Sequence, residues 1–133
     1  MFRISTFVSL AALAGVLWML LQNEEQRQAD QFFGVVDWVS DGDTFQIEGY
    51  PWPIRLWGVD APERETLAGI RARAFVTDLI LGEVLACEKV VVDKYRRTVA
   101  RCSLGDDDLS LVILAAGHGV EMCGFTRGAL GGC

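Results

Sequence analysis

Apolar positions along this chain follow two different periods, and the changes between them divide the sequence into strands and helices. In strand-like segments, apolar residues alternate with polar ones, as in TFQIE at 44–48, or run together. In helix-like segments they recur every three or four residues. The pattern predicts strands at 33–39, 44–48, 54–59, 84–92 and 99–104, and helices at 66–81 and 109–116.

The order of these elements is three strands, a helix, two strands and a helix. This order favours a mainly β (α+β) fold, namely a five-stranded Greek-key barrel of the OB type with two helices. Residues 32–133 are predicted to form this domain, with a tail rich in glycine and cysteine from about 117 that shows no period. An OB-type barrel binds ligands across one face.

A separate hydrophobic helix is predicted at residues 4–21, where no charged residue occurs. Eighteen residues rise about 27 Å as a helix, close to one hydrocarbon thickness. The length favours an uncleaved membrane anchor over a buried core helix. A cleaved signal segment is the alternative, although the small residues at 12–14 come early for a cleavage site. Residues 22–31 are polar and predict a linker or a helical extension. Both leading interpretations predict a cell-envelope location, periplasmic or extracytoplasmic, either anchored in the inner membrane or secreted.

The four cysteines agree with export to an oxidising compartment. Cys87 and Cys102 flank a predicted hairpin, whereas Cys123 and Cys133 close the tail. Of the three possible pairings, Cys87–Cys102 with Cys123–Cys133 requires the least chain travel. Four free or buried thiols are the alternative.

Charge limits the partners that the surface can bind. The chain has 12 basic and 18 acidic residues and a net charge of −6, which argues against a general polyanion-binding surface. A nucleic-acid role therefore has to depend on local charge, and one basic cluster, KYRRTVAR at 94–101, is present.

Five polar residues occupy positions that the predicted fold does not require. Asp43 opens the second strand, Arg55 interrupts the third, Asp60 and Glu63 follow it, and Arg97 ends a hairpin turn. Carboxylates and backbone carbonyls suit a hard cation such as calcium, a glutamate suits a general base, and guanidinium groups suit a phosphate. Taken singly, each motif is more typical of a turn or a solvated surface.

Taken together, DGDTFQIEG, IRLWGVDAPE and DKYRRTVARC occur in an order that resembles the staphylococcal nuclease (thermonuclease) family, over about residues 33–120. The resemblance implies an OB-fold and calcium-dependent hydrolysis of DNA or RNA. It implies that Asp43, Asp60 and the backbone carbonyl of Ala61 ligate Ca²⁺, while Asp41 supports these ligands from outside.

The same resemblance assigns roles toward the substrate. Glu63 is expected to act as the general base, and Arg55 and Arg97 to hold the phosphate. Lys94 and Tyr95 are expected near the terminal phosphate of a nucleotide. The implied substrate is single-stranded DNA or RNA, cleaved by a monomer to give 3′-phosphate products.

The chain also departs from the family pattern. Arg96 stands where the family usually has glycine, which predicts a strained or reshaped turn. The segment after Glu63 is short and lacks a basic loop, and no third long helix is predicted. Two alternative functions therefore stay open: a non-catalytic OB-type module that binds nucleic acid or protein, and a structural protein of the cell envelope.

Overall fold

The computed structural model describes the backbone of residues 4–133 and the side chains of residues 10–133. The chain divides into two compact units, with the boundary between Gln31 and Phe32. The first unit contains α1 (Ile4–Ala29). The helix continues through most of the predicted linker, so the helical extension is the alternative that the structure favours.

Within the described part of the chain, no helix combines the length and the apolar character that a membrane crossing requires. The predicted anchor, residues 4–21, begins with positions 4–9, whose side chains lie outside the described residues. The anchor stays a prediction.

The second unit is a closed barrel of five strands with helices outside it, which confirms the predicted OB-type fold. In chain order its elements are β1 (Gln31–Asp41), β2 (Thr44–Ile47), β3 (Ile54–Leu56), β4 (Val59–Asp60), α2 (Leu67–Ile80), β5 (Val84–Val92), β6 (Thr98–Leu104), β7 (Asp107–Asp108), α3 (Leu109–Ala115), β8 (Val120–Glu121) and α4 (Cys123–Thr126).

The barrel wall runs β3-β2-β1-β5-β6, and a further pairing between β3 and β6 closes it. The β1–β2, β2–β3 and β5–β6 pairs are antiparallel, whereas β3 and β6 pair in parallel. Alternate strand residues point inward, and α2 covers the interior with residues spaced four apart. Fully buried core side chains include Phe45, Ile47, Ile54, Leu56, Val76, Ile80, Leu85 and Ile113.

Side-chain caps define where two helices of the barrel domain begin. The Thr66 hydroxyl accepts a hydrogen bond from the Gly69 N–H at the start of α2. The Asp108 carboxylate accepts from the Ser110 and Leu111 N–H groups at the start of α3, so Asp108 is the N-cap of that helix. Gly82 follows α2 with a φ of +80°, a left-handed conformation that glycine adopts without steric cost.

Two segments differ from the sequence-based expectation. The predicted strand at 54–59 is divided into β3 and β4 by a turn at Trp57-Gly58, where Gly58 has a φ of +79°. The glycine-rich tail was expected to lack regular structure, but it contains β8, which pairs with β4 in the register Asp60↔Val120. A strand of two residues shows no period, so sequence pattern does not reveal it.

Both predicted disulfides are present, so all four cysteines are paired. Cys87 and Cys102 are register partners on β5 and β6. Cys123–Cys133 closes the tail, where the Glu121 carboxylate also accepts hydrogen bonds from the Thr126 hydroxyl and the Leu130 N–H. These contacts hold the tail in place beside β4.

Candidate functional site

An open cleft of about 460 Å³ lies where β2, β3 and β4 meet the turn between β5 and β6. Its lining is strongly charged and includes every predicted site residue except Lys94. The lining residues are Asp41, Asp43, Arg55, Asp60, Ala61, Pro62, Glu63, Arg64, Glu65, Tyr95 and Arg97. Residues that are distant in sequence therefore meet at one place, whereas their individual roles stay predictions.

Asp43 and Arg55 form the buried end of the cleft, and Asp60 lies beside Arg55 with its side chain exposed. The Arg55 Nη1 lies 3.4 Å from the Asp43 Oδ2, and the Arg55 Nη2 lies 3.6 Å from the Asp60 Oδ1. Nη1 also donates to the backbone carbonyls of Leu56 and Val59, so the guanidinium is held by its own strand and the next. One guanidinium thus contacts both carboxylates.

The Asp43 carboxylate is anchored on both oxygens. Oδ2 accepts from the Ala61 N–H at 2.9 Å, and Oδ1 accepts from the Thr44 hydroxyl at 2.9 Å. Burial raises the pKa of Asp43 to about 6, although the neighbouring Arg55 and the Ala61 N–H both lower it. Arg55 and the Ala61 N–H therefore offset only part of the cost of burying the ionised Asp43 carboxylate, and a nearby cation would stabilise it further.

The turn Ser40-Asp41-Gly42 brings Asp43 against the Asp60-Ala61 segment. A Cβ at Gly42 would lie 2.8 Å from the Ala61 Cβ and 2.9 Å from the Ala72 Cβ, so only glycine permits this approach. The Asp41 Oδ1 accepts from the Asp43 N–H at 3.2 Å. Asp41 therefore supports the turn, as expected, while it also lines the cleft.

Arg97 is oriented by Asp93, a residue that the sequence analysis did not select. The Asp93 Oδ2 accepts from the Arg97 Nε at 2.7 Å, and its Oδ1 accepts from the backbone N–H groups of Tyr95 and Arg97. Burial raises the pKa of Asp93, but the hydrogen bonds from Arg97 and Tyr95 outweigh burial and hold this pKa below its usual value. The Arg97 Nη groups have no acceptor among the described residues, which leaves them available to a phosphate.

The same turn explains the unusual arginine at position 96. Arg96 has a φ of +63°, the left-handed conformation that favours glycine, so its backbone is strained, as the sequence suggested. Tyr95 lies beneath Arg97, with the guanidinium carbon 5.3 Å from the ring centre. Lys94 also lies over Tyr95, with its Nζ 5.1 Å from the ring centre, but it does not line the cleft.

We expect Asp93→Asn to slow any reaction that depends on Arg97 by about 10- to 100-fold, because a misplaced guanidinium meets the substrate in the wrong geometry. Asparagine keeps an oxygen for the backbone N–H groups but loses the charge that pairs with the Arg97 Nε. Steady-state kinetics would show the effect in kcat. Asp78→Asn, an exposed change on α2, is the control, and equal rates for both variants would contradict this positioning role.

Glu63 is held just before α2. Its carbonyl accepts from the Thr66 N–H at 3.0 Å and from the Thr66 hydroxyl at 2.7 Å. A Cβ at Gly69 would collide with the Glu63 carbonyl, so the first turn of the helix fits closely under this segment. The side chain itself is exposed to the cleft, where a solvent molecule has access to it.

Two grooves adjoin the cleft. One, of about 220 Å³, is largely apolar and is lined by Arg55, Arg97, Met122 and Phe125 among others. The other, of about 360 Å³, shares Asp41, Arg64 and Arg97 with the cleft and extends along β1 and β2 to Trp38. The sequence analysis missed Arg64 and Met122 as site residues, since neither stands in a motif with a chemical signature. Asp93 carried one available signal, its spacing of four residues from Arg97.

The cleft has the chemistry of a hard-cation site. Asp43, Asp60 and the Ala61 backbone offer only oxygen donors, and Asp41 adds negative charge nearby. Across residues 10–133, no three Asp, Glu, His or Cys side chains form a group that could hold a metal by themselves. The expected set therefore needs two carboxylates, one backbone carbonyl and water to complete the coordination of a cation.

The family described as staphylococcal nuclease homologue matches residues 53–124. The chain belongs to the staphylococcal nuclease family. The match covers more than half of the chain and includes Arg55, Asp60, Glu63 and Arg97, while Asp43 lies before it.

Among curated relatives, this family member is similar to the "Probable endonuclease LCL3" of Saccharomyces cerevisiae strains RM11-1a and ATCC 204508 / S288c. Each is 38% identical over 79 residues. The alignment covers 51% of this chain and 29% of each yeast protein. The chain thus spans less than a third of the length of these relatives.

Proposed function

We propose that this chain hydrolyses phosphodiester bonds of single-stranded DNA or RNA in a calcium-dependent reaction. The observation that carries the proposal is the convergence of Asp43, Asp60, Glu63, Arg55 and Arg97 on one cleft of about 460 Å³. Two carboxylates tied to one arginine, with a second arginine and a glutamate at the rim, match the groups that phosphate cleavage requires.

Calcium would be held by the Asp43 and Asp60 carboxylates and the Ala61 backbone carbonyl, with water completing its coordination. When bound, it would supply Lewis-acid polarisation of a phosphate oxygen and lower the pKa of a nearby water molecule. The Arg55 guanidinium contacts both of these carboxylates and so joins them in one charged cluster.

The remaining steps belong to the chain's own side chains. Glu63 accepts a proton from the water that attacks phosphorus, because its exposed carboxylate lines the cleft. Arg97 and Arg55 contact the phosphate oxygens, where negative charge increases in the transition state. The bond from phosphorus to the 5′ oxygen breaks, which leaves a 3′-phosphate on one product.

The proposal places the reaction outside the cytosol, in the cell envelope. Support comes from the two disulfides, since structural disulfides persist in oxidising compartments. We also propose that residues 4–21 anchor the chain in the membrane and that the chain acts as a monomer.

The test incubates the full chain with a single-stranded oligonucleotide in low salt, with calcium, with magnesium or with a chelator. We expect cleavage with calcium and its loss with the chelator. Product ends mapped by mass should carry a 3′-phosphate. Equal cleavage with calcium and with the chelator would contradict the role of the cation. The absence of cleavage under every condition would contradict the proposed hydrolase activity.

A non-catalytic binding module is the second candidate, favoured by the net charge of −6. It predicts that a folded chain binds an oligonucleotide or a protein partner without cleaving it. The experiment above separates the two, because the substrate strand stays intact if the chain is only a binding module.

A further inference from the structure

The groove of about 360 Å³ beside the cleft ends at a tryptophan that the fold turns outward. Trp38 lies on β1 and is 58% exposed. The β1–β2 register shifts between Val36 and Trp38, which is the mark of a β-bulge. A bulge redirects the side chains that follow it, so Trp38 leaves the barrel interior while Val36 and Val39 remain buried.

The indole is contacted from the helix side by Arg73. The Arg73 guanidinium carbon lies 5.5 Å from the centre of the Trp38 ring, and the Arg73 Nε donates to the Val39 carbonyl at 3.2 Å. Arg73 comes from α2 and does not line the groove. One neighbour thus positions the ring from the helix side, while the ring itself forms part of the groove wall. An ordered, exposed aromatic face is the element on which single-stranded nucleic acids stack their bases.

The groove is continuous with the cleft through charged residues. Arg64 and Arg97 line both, and Asp41 does as well. A strand whose scissile phosphate lies at Arg97 would therefore have its next nucleotide in the groove, with Arg64 near its backbone. Gln46, the register partner of Trp38, and Pro53 also line the groove.

We propose that this groove binds the nucleotide next to the scissile phosphate and that Trp38 stacks on its base. The inference rests on the proposed function and assigns a base-binding residue to it. Stacking on Trp38 requires an unpaired strand, because a base in a duplex cannot offer its face to the indole. Stacking on an aromatic ring does not distinguish strongly among bases, so little sequence preference is expected from this contact.

The test compares Trp38→Ala, Trp38→Phe and Trp52→Ala in the full chain. Trp52 is a matched control, since it is also an exposed tryptophan, at 44%, and does not line the groove. Two substrates are used with calcium: oligothymidylate and bis(p-nitrophenyl) phosphate, a small diester without a base. Thermal unfolding of each variant confirms that the fold is retained.

We expect Trp38→Ala to raise the KM for oligothymidylate by roughly 5- to 150-fold, the range given by loss of one stacked base. Cleavage of the small diester should stay unchanged, Trp38→Phe should recover most of the affinity, and Trp52→Ala should behave as the unmodified chain. An unchanged KM in Trp38→Ala, or an equal loss on both substrates, would overturn the groove proposal while leaving the proposed function intact.

A measurement of oligonucleotide binding tests the groove proposal independently of whether the chain is a hydrolase. If the unmodified chain cleaves neither substrate, the hydrolase proposal fails, and fluorescence anisotropy of labelled oligothymidylate decides the groove. Weaker binding by Trp38→Ala than by Trp52→Ala would still support stacking at Trp38. Equal binding by the two variants, or stronger binding of a duplex than of the single strand, would reject it.

Discussion

Replacing Arg97 with alanine is expected to lower kcat for oligonucleotide cleavage by about 10³-fold or more, the usual effect of removing an arginine that meets phosphate charge in the transition state. The Arg97 Nε is held by Asp93 at 2.7 Å, while its Nη groups have no acceptor in the described part of the chain. The guanidinium is thus preorganised toward the cleft. Steady-state cleavage of a labelled single-stranded oligonucleotide with calcium measures the effect.

Two further variants sharpen that result. Arg71→Ala removes an exposed guanidinium of α2 that lies outside the cleft, and it should leave kcat unchanged. Arg97→Lys keeps the charge but not the planar pair of donors, so most of the loss should remain. If Arg97→Ala retains near-normal kcat while its fold is intact by circular dichroism, Arg97 has no role in the chemistry.

The strands and the longer helices were predictable because each repeats a period over enough residues to be recognised. Alternation over 44–48 predicted β2, and spacing over 66–81 predicted α2 within one or two residues. The disulfide Cys87–Cys102 was predictable for a related reason, since a hairpin places register partners side by side. In these cases local sequence and tertiary structure agree.

The features that could not be predicted from the sequence depend on contacts between distant segments. The pairing of β4 with β8 joins strands of two residues each, which have no period of their own. The outward turn of Trp38 results from a bulge in the β1–β2 register, and a bulge has no fixed sequence signature. Asp93 looked like an ordinary turn residue because its function is to accept hydrogen bonds that form only when the turn is closed.

The candidate site could be predicted from the sequence only in part. Its residue types were visible in three short motifs, but their convergence required the fold. Gly42 lets the first motif approach the second, and Arg55 then joins their carboxylates. Sequence can therefore name the chemical groups, whereas the distances between them follow from packing that no single motif contains.

Glu63→Gln is expected to lower kcat by about 10²- to 10⁴-fold, the range for loss of a general base, while the KM for the oligonucleotide changes little. Glutamine has nearly the same shape, and the backbone contacts that hold residue 63 before α2 use the carbonyl rather than the side chain. The substitution therefore removes the proton acceptor without moving the segment.

The neighbouring glutamate supplies the matched control. Glu65 also lines the cleft, is also exposed, and carries the same charge, so Glu65→Gln changes the electrostatic potential of the cleft by the same amount. A general base acts only from a position within reach of the attacking water, whereas a general electrostatic effect would be shared by both residues. A large kcat loss in Glu63→Gln with a small one in Glu65→Gln identifies proton transfer as the role of Glu63. Similar losses in the two variants would instead show that the cleft needs negative charge at its rim, and the general base would have to be another group.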